Sequence, residues 1–205
     1  MISGNFIEQR RDNLSELAKL IVCLTGMPGA GKSTIAEGLK SNGYTIINMG
    51  DAVRAEAKRR ELEPTANNLG KLMLDLREKN GPGAVAQLIK PQIDQSTLNI
   101  IIIDGIRSND EINFLKKIGD LKILSVHAST DTRFDFLSKR GRSDDPKDKD
   151  NFNERDSREL DVGISTSIAL ADESISNNNM TIDELISKAI SIIQSWVNHN
   201  AHSRD

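Results

Sequence analysis

The chain has 205 residues, 27 of them Lys or Arg and 30 Asp or Glu, for a formal net charge of -3. That length suits one domain with room for an insertion, and the near balance of charge argues against holding duplex nucleic acid by bulk electrostatics. Apolar runs such as 100–103 are far shorter than the roughly 20 residues that cross a bilayer. The N-terminus lacks a signal peptide's apolar segment, and the single cysteine, Cys23, allows no intrachain disulfide. Together these features predict a cytoplasmic protein with neither membrane nor nucleic-acid partners.

Residues 1–19 read as an N-terminal extension, 20–197 as one domain and 198–205 as a tail. LIVCLT at 20–25 has the character of a buried strand, with Cys23 a small apolar core residue. It leads directly into Gly26-Met27-Pro28-Gly29-Ala30-Gly31-Lys32-Ser33, which satisfies G-x-x-x-x-G-K-[ST], and 33–40 reads as a helix stopping near Gly43. Glycines let backbone N–H groups turn inward around phosphate oxygens, and the helix N-terminus adds partial positive charge. Lys32 can then reach the β and γ phosphates while the Ser33 hydroxyl ligates Mg²⁺. The loop through Thr34 is therefore expected to bind ATP.

YTIIN at 44–48 is the second predicted strand. Residues 51–97 then hold several helices, more than one crossover needs, punctuated by Pro64, Gly81-Pro82-Gly83 and Pro91. NIIIID at 99–104 is apolar on both faces and so belongs inside a sheet. Its terminal Asp104 falls at the strand edge that lines the ligand crevice of open α/β sheets, where it can hold Mg²⁺ together with Ser33. Ser108 and Glu111 form a capping box before a helix stopped at Gly119. KILSVHA at 122–128 and DESISN at 172–177 complete five strands; Thr181 and Glu184 cap a last helix whose apolar positions recur through Val197. Strands alternating with helices predict an α/β protein with a parallel sheet. Between the last two strands, 133–161 is charged and poor in aliphatic residues. It reads either as a solvated surface helix or as a segment that closes over nucleotide.

Gly50-Asp51-Ala52-Val53-Arg54, Asp104-Gly105-Ile106-Arg107, and Arg140-Gly141-Arg142 followed by Asp144, Asp145 and Arg155 resemble motifs of the nucleoside monophosphate kinases, above all adenylate kinase. The combination is closer still to the archaeal adenylate-kinase-related P-loop proteins. This resemblance implies a three-layer αβα fold with a five-stranded parallel sheet, 51–97 as the acceptor-binding helices and 133–161 as a lid. It implies Lys32, Arg107, Arg142 and Arg155 as catalytic residues and Asp51, Arg54, Arg107 and Glu111 as the acceptor-binding set. Two phosphates brought together repel each other, so cations must converge; Arg140 and Arg158 are further candidates, with Asp144, Asp145, Asp156 and Glu159 orienting the arginines.

Glu111 stands where adenylate kinase has a base-reading glutamine, and Met49 where that family has a threonine. As a carboxylate Glu111 only accepts hydrogen bonds, which suits guanine better than adenine; alternatively it serves the capping box alone. The resulting expectation is ATP- and Mg²⁺-dependent phosphoryl transfer to a nucleoside monophosphate, AMP favoured. A hydroxyl acceptor such as dephospho-coenzyme A is the alternative, since Ala171-Asp172-Glu173-Ser174-Ile175-Ser176-Asn177 resembles a segment of its kinases, and Asp51 would then be the base. A nucleotide-binding regulatory module or slow ATPase is the third reading.

Overall fold

A computed structural model describes residues 19–142 and 145–202. Residues 1–18, in the expected extension, and Asp144 lie outside them. The chain runs β1 (Leu20–Thr25), α1 (Lys32–Ser41), β2 (Thr45–Asn48), α2 (Met49–Arg59), α3 (Ala66–Asn80), α4 (Ala84–Gln95) and β3 (Ile100–Asp104). It continues through α5 (Asn109–Leu115), β4 (Asp120–His127), α6 (Thr130–Arg140), α7 (Lys149–Val162), α8 (Ile164–Ala169), β5 (Glu173–Ser176) and α9 (Ile182–His202).

The strands form one five-stranded sheet in the order β2-β3-β1-β4-β5, and every pairing is parallel. Alternation along the strands builds a core on each face. Ile21 and Cys23 of β1 join Ile101 and Ile103 against α2 to α5, while Leu20, Val22, Leu24 and Ile102 pack against α1 and α9. Sequestered there, the Cys23 thiol has its pKa pushed up well above the ordinary range by burial. β1 has β3 on one side and β4 on the other, so the order reverses at β1. Its C-terminal end is therefore where a doubly wound sheet opens a ligand crevice.

Both predicted capping boxes form. Ser108 Oγ accepts from the Glu111 amide while Glu111 accepts from the Ser108 amide, and Thr181 and Glu184 exchange the same pair of bonds. Two local expectations need correction. Pro91 lies inside α4 rather than punctuating it, because Ile89 and Ile93 anchor the helix in the core on either side of it. α9 continues past Val197 to His202, since nothing beyond Val197 breaks its backbone pattern and His199 Nδ1 lies 2.9 Å from the Ser195 carbonyl. No helix among the described residues is long and apolar enough to cross a membrane.

Candidate active site

The glycine-rich loop joins β1 to α1 and depends on its glycines. At Gly26 the backbone has φ of +137°, and a Cβ there would sit 2.1 Å from the Val126 carbonyl oxygen. Gly31 caps α1 at φ of +110°, and its Cβ would meet the Asn177 amide nitrogen at 2.5 Å. Side chains from across the sheet hold the loop's carbonyls. Asn177 Nδ2, at the end of β5, donates to Ala30 O at 3.0 Å, and Arg133 Nη1, on α6, donates to Pro28 O at 3.0 Å. Lys32 folds back on its own loop, donating to Gly26 O at 2.5 Å and Met27 O at 3.1 Å. Burial pushes the Lys32 ammonium down to about 8, against the opposing pull of Asp104.

The loop floors a cleft of about 430 Å³ lined by Lys32, Arg54, Arg107, Lys139, Arg140, Arg142 and Arg155 but only two carboxylates, Asp104 and Glu159. Six of the seven predicted cations thus meet at one cleft; Arg158 is not among its lining residues. Two carboxylates near the cleft act as arginine holders. Glu159 Oε2 accepts from Arg107 Nε at 2.7 Å; burial works against that carboxylate, but the Arg107 guanidinium outweighs it and holds the pKa below the ordinary value. Asp145 accepts from Arg140, from the Arg142 amide at 2.8 Å and from Arg155 at 3.4 Å.

Asp104 ends β3 almost fully buried. Its Oδ2 accepts from Asn48 Nδ2 at 2.8 Å, whereas Oδ1 is the one buried side-chain oxygen or nitrogen without a hydrogen-bond partner among the described residues. Burial raises its pKa, despite the nearby Lys32, Arg107 and Arg142. An acceptor-only oxygen stranded beside a P-loop is what a hard cation can satisfy, and Ser33 lines the same cleft. The residues present therefore fit Mg²⁺.

Asp51 is exposed and pairs with Arg54 at 2.6 Å, one turn into α2. It borders an adjoining hollow of about 640 Å³ rather than the main cleft; Ser33, Asn48, Arg54, Asp104 and Arg142 are common to both. Glu111 differs most from its expected place. It is 1% exposed and absent from the cleft lining. Its Oε2 accepts from the Arg107 and Ser108 amides at 2.8 and 3.2 Å, and its Oε1 faces Arg77 at 3.4 Å. Of the two roles open to it, the structure gives it the cap, because Oε2 is engaged by the amides at the helix start, Oε1 is turned to Arg77, and the carboxylate is buried away from the cleft. Asn48, Arg133 and Asn177 were missed as site residues. A strand-end Asn three residues before Asp51 is a readable N-cap signal for Asn48; Arg133 offered none, standing 105 residues from its loop partner.

A parallel αβα sheet with a phosphate-type loop at its switch point defines a P-loop αβα fold of the kinase-like type. Residues 25–154 match the family model described as an AAA domain. Full-length relatives are more specific: the chain belongs to the UPF0200 family, being 40% identical over 176 residues to the UPF0200 protein of Hyperthermus butylicus, across 86% of this chain and 94% of that one. It is likewise 40% identical over 182 residues to the UPF0200 protein of Methanocaldococcus jannaschii, covering 88% of this chain and 92% of the relative. Among solved structures, TT1252 from Thermus thermophilus is similar with a TM-score of 0.64 at 16% identity, covering 87% of this chain and 97% of that one. Shikimate kinase from Bacteroides thetaiotaomicron gives 0.60 at 16% identity, with 85% and 98% covered. These likenesses show the fold.

Proposed function

We propose that this protein transfers the terminal phosphoryl group of ATP to the phosphate of a nucleoside monophosphate, AMP favoured, as an adenylate-kinase-related enzyme. The observation that carries the reading is the seven cationic side chains lining one cleft, against the two carboxylates that line it and Asp51 and Asp145, which hold three of the arginines from outside it; that is still more positive charge than a single nucleotide with its metal needs. In-line transfer between two phosphates requires cations on the donor, the acceptor and the migrating group. The loop from Gly26 to Thr34, with Lys32, holds the donor phosphates. Arg54 and Arg107 take the acceptor phosphate, with Asp51 orienting Arg54, and Arg142 and Arg155 neutralise the group in flight. Ser33 and Asp104 would hold Mg²⁺, which supplies charge neutralisation at the β and γ phosphates. No general base is needed, because a phosphate oxygen is already an anionic nucleophile. The 20–197 unit would act as the kinase domain, with 51–97 as its acceptor-binding part and 133–161 as its lid.

A hydroxyl acceptor is the second reading, favoured by the exposed Asp51 carboxylate on the hollow that reaches Ser33 and Asp104. Incubation with γ-labelled ATP, Mg²⁺ and AMP, GMP, CMP, UMP or dephospho-coenzyme A separates the classes. Label in a nucleoside diphosphate supports the proposal, and label in the coenzyme supports the second reading. Release of inorganic phosphate alone points to a slow ATPase and overturns both. Asp51→Asn sharpens the choice: a loss of about 10² to 10⁴ in turnover marks a hydroxyl acceptor, and a change within a few-fold marks a phosphate.

A further inference from the structure

Arg133 is a charged side chain that the proposed chemistry does not use. It lies on α6, is 5% exposed and is not among the cleft's lining residues. Its guanidinium is nevertheless held at both terminal nitrogens and on one face. Nη1 donates to Pro28 O at 3.0 Å and to Asp156 Oδ1 at 2.9 Å, and Nη2 donates to Asp156 Oδ2 at 2.5 Å. The plane rests over Phe152, 4.8 Å from the ring centroid, and that ring meets Phe134 edge-on at 5.5 Å.

A buried ion pair is weak evidence of added stability, since desolvation offsets most of the attraction; what a bidentate pair fixes well is geometry. Phe152 and Asp156 stand four residues apart on α7 and form one stripe of it. Arg155 and Glu159 form the neighbouring stripe, and both line the cleft. Successive residues turn by about 100° around a helix, so gripping the first stripe fixes the direction of the second. Glu159 in turn holds Arg107 at 2.7 Å. The same guanidinium also holds a carbonyl of the phosphate loop.

We infer that Arg133 is a positioning residue: it sets the roll of α7 and, through Pro28, ties that roll to the phosphate loop. Arg155 and the Glu159–Arg107 pair then meet the nucleotide phosphates in register with the loop. This rests on the phosphoryl-transfer reading above. A displacement of about 1 Å at such a site costs on the order of 10²-fold in rate while leaving the loop's own grip on nucleotide intact.

The test compares wild type with R133A, R133K and D156N in three measurements: affinity for a non-hydrolysable ATP analogue with Mg²⁺, hydrogen exchange of 26–34 and 149–162 with and without it, and steady-state transfer to AMP. Wild type is expected to show nucleotide protection in both segments. R133A should bind the analogue within about three-fold of wild type and keep loop protection, but lose protection across 149–162 and about 10² in kcat with little change in KM for ATP. R133K keeps the charge without the planar fork and should recover less than half of the lost protection. If R133A does not fold, D156N, which nearly preserves side-chain volume, carries the same expectation. Wild-type protection of 149–162 in R133A or D156N would overturn the inference. Failure of wild type to bind the analogue would overturn the nucleotide reading itself; binding without transfer to AMP would overturn the acceptor and leave the exchange result to judge Arg133.

Discussion

Asn48 Nδ2 donates to Asp104 Oδ2 at 2.8 Å, across a pair of residues in register on neighbouring parallel strands. The other side of the same amide, Oδ1, accepts from the Asp51 amide at 3.0 Å and caps α2. One side chain therefore fixes the carboxylate proposed for Mg²⁺ and starts the helix that carries Arg54. Two faces of the proposed reaction, metal and acceptor, are set from one strand end.

Replacing that side chain separates its roles. Asn48→Ala removes a helix cap and strips a buried carboxylate of its donor, for an expected loss of about 2 to 4 kcal/mol in urea denaturation. Asn48→Ser keeps a capping oxygen and should recover about 1 kcal/mol of that, while its Mg²⁺ requirement in turnover shifts to higher concentration. An unchanged denaturation midpoint in Asn48→Ala would mean that the bond to Asp104 contributes nothing.

Glu111 gives a prediction opposite to the one its sequence position invites. Because its carboxylate serves the Arg107 and Ser108 amides and is buried, Glu111→Ala leaves two backbone donors unsatisfied near the helix start. A loss of about 2 to 3 kcal/mol in stability is expected. The KM for the nucleotide acceptor should move less than about three-fold, and the preference between AMP and GMP should not change. A reversal of base preference in Glu111→Gln would restore the base-reading role.

These two residues mark the boundary between what the chain states locally and what it does not. Strands 20–25 and 99–104, the phosphate loop and both capping boxes are short-range patterns, so periodicity and spacing sufficed to place them. The convergence of Arg54, Arg107, Arg142 and Arg155 came instead from resemblance and is reproduced as shared lining of one cleft. Contacts such as Arg133 with Pro28 and Asn177 with Ala30 lay beyond reach, being side chain to backbone across 105 and 147 residues. No local pattern encodes such a bond, because the fold alone brings its ends together. Glu111 shows the converse case: one position fitted two physical roles, and only burial decided between them.

On the proposed reading, Lys32 sets a pH limit on nucleotide binding. In the free protein its ammonium is pushed down to about 8 by burial, whereas bound phosphates would hold the proton. Above that value binding must take up a proton, so affinity for ATP is expected to be flat near neutrality and about 30-fold weaker at pH 9.5. Stability follows the other sign. With a folded pKa below that of the unfolded chain, the unfolded state binds more protons between the two values, and this group's contribution to stability rises with pH across that window. Calorimetry of ATP binding at about pH 8.5, in buffers of differing ionisation enthalpy, reads the uptake directly. Lys32→Met should bind far more weakly and without the pH slope; an unchanged slope in that variant would assign the titration elsewhere.

Asp145 organises the arginines of the proposed lid without lining the cleft itself. Its Oδ2 accepts from Arg140 Nε at 3.0 Å and from the Arg142 amide at 2.8 Å, and its Oδ1 serves Arg155 and the other end of Arg140. Burial acts to raise its pKa, but the bonds from Arg140 and Arg142 prevail and hold it below the ordinary value. Its contribution to stability is therefore present above the unfolded carboxylate pKa of about 4 and is lost as pH falls through the lower folded value. Asp145→Asn removes the charge and turns an amide donor toward guanidinium donors, so Arg140, Arg142 and Arg155 lose a common anchor. Turnover is expected to fall about 10- to 100-fold, an effect of misplacement rather than of lost loop contacts, with affinity for the ATP analogue changed far less. The variant's acid unfolding should also lose the component that wild type shows below about pH 4. Equal losses in analogue affinity and turnover would instead make Asp145 part of the nucleotide grip, and an unaltered acid limb would remove its assigned coupling to the arginines.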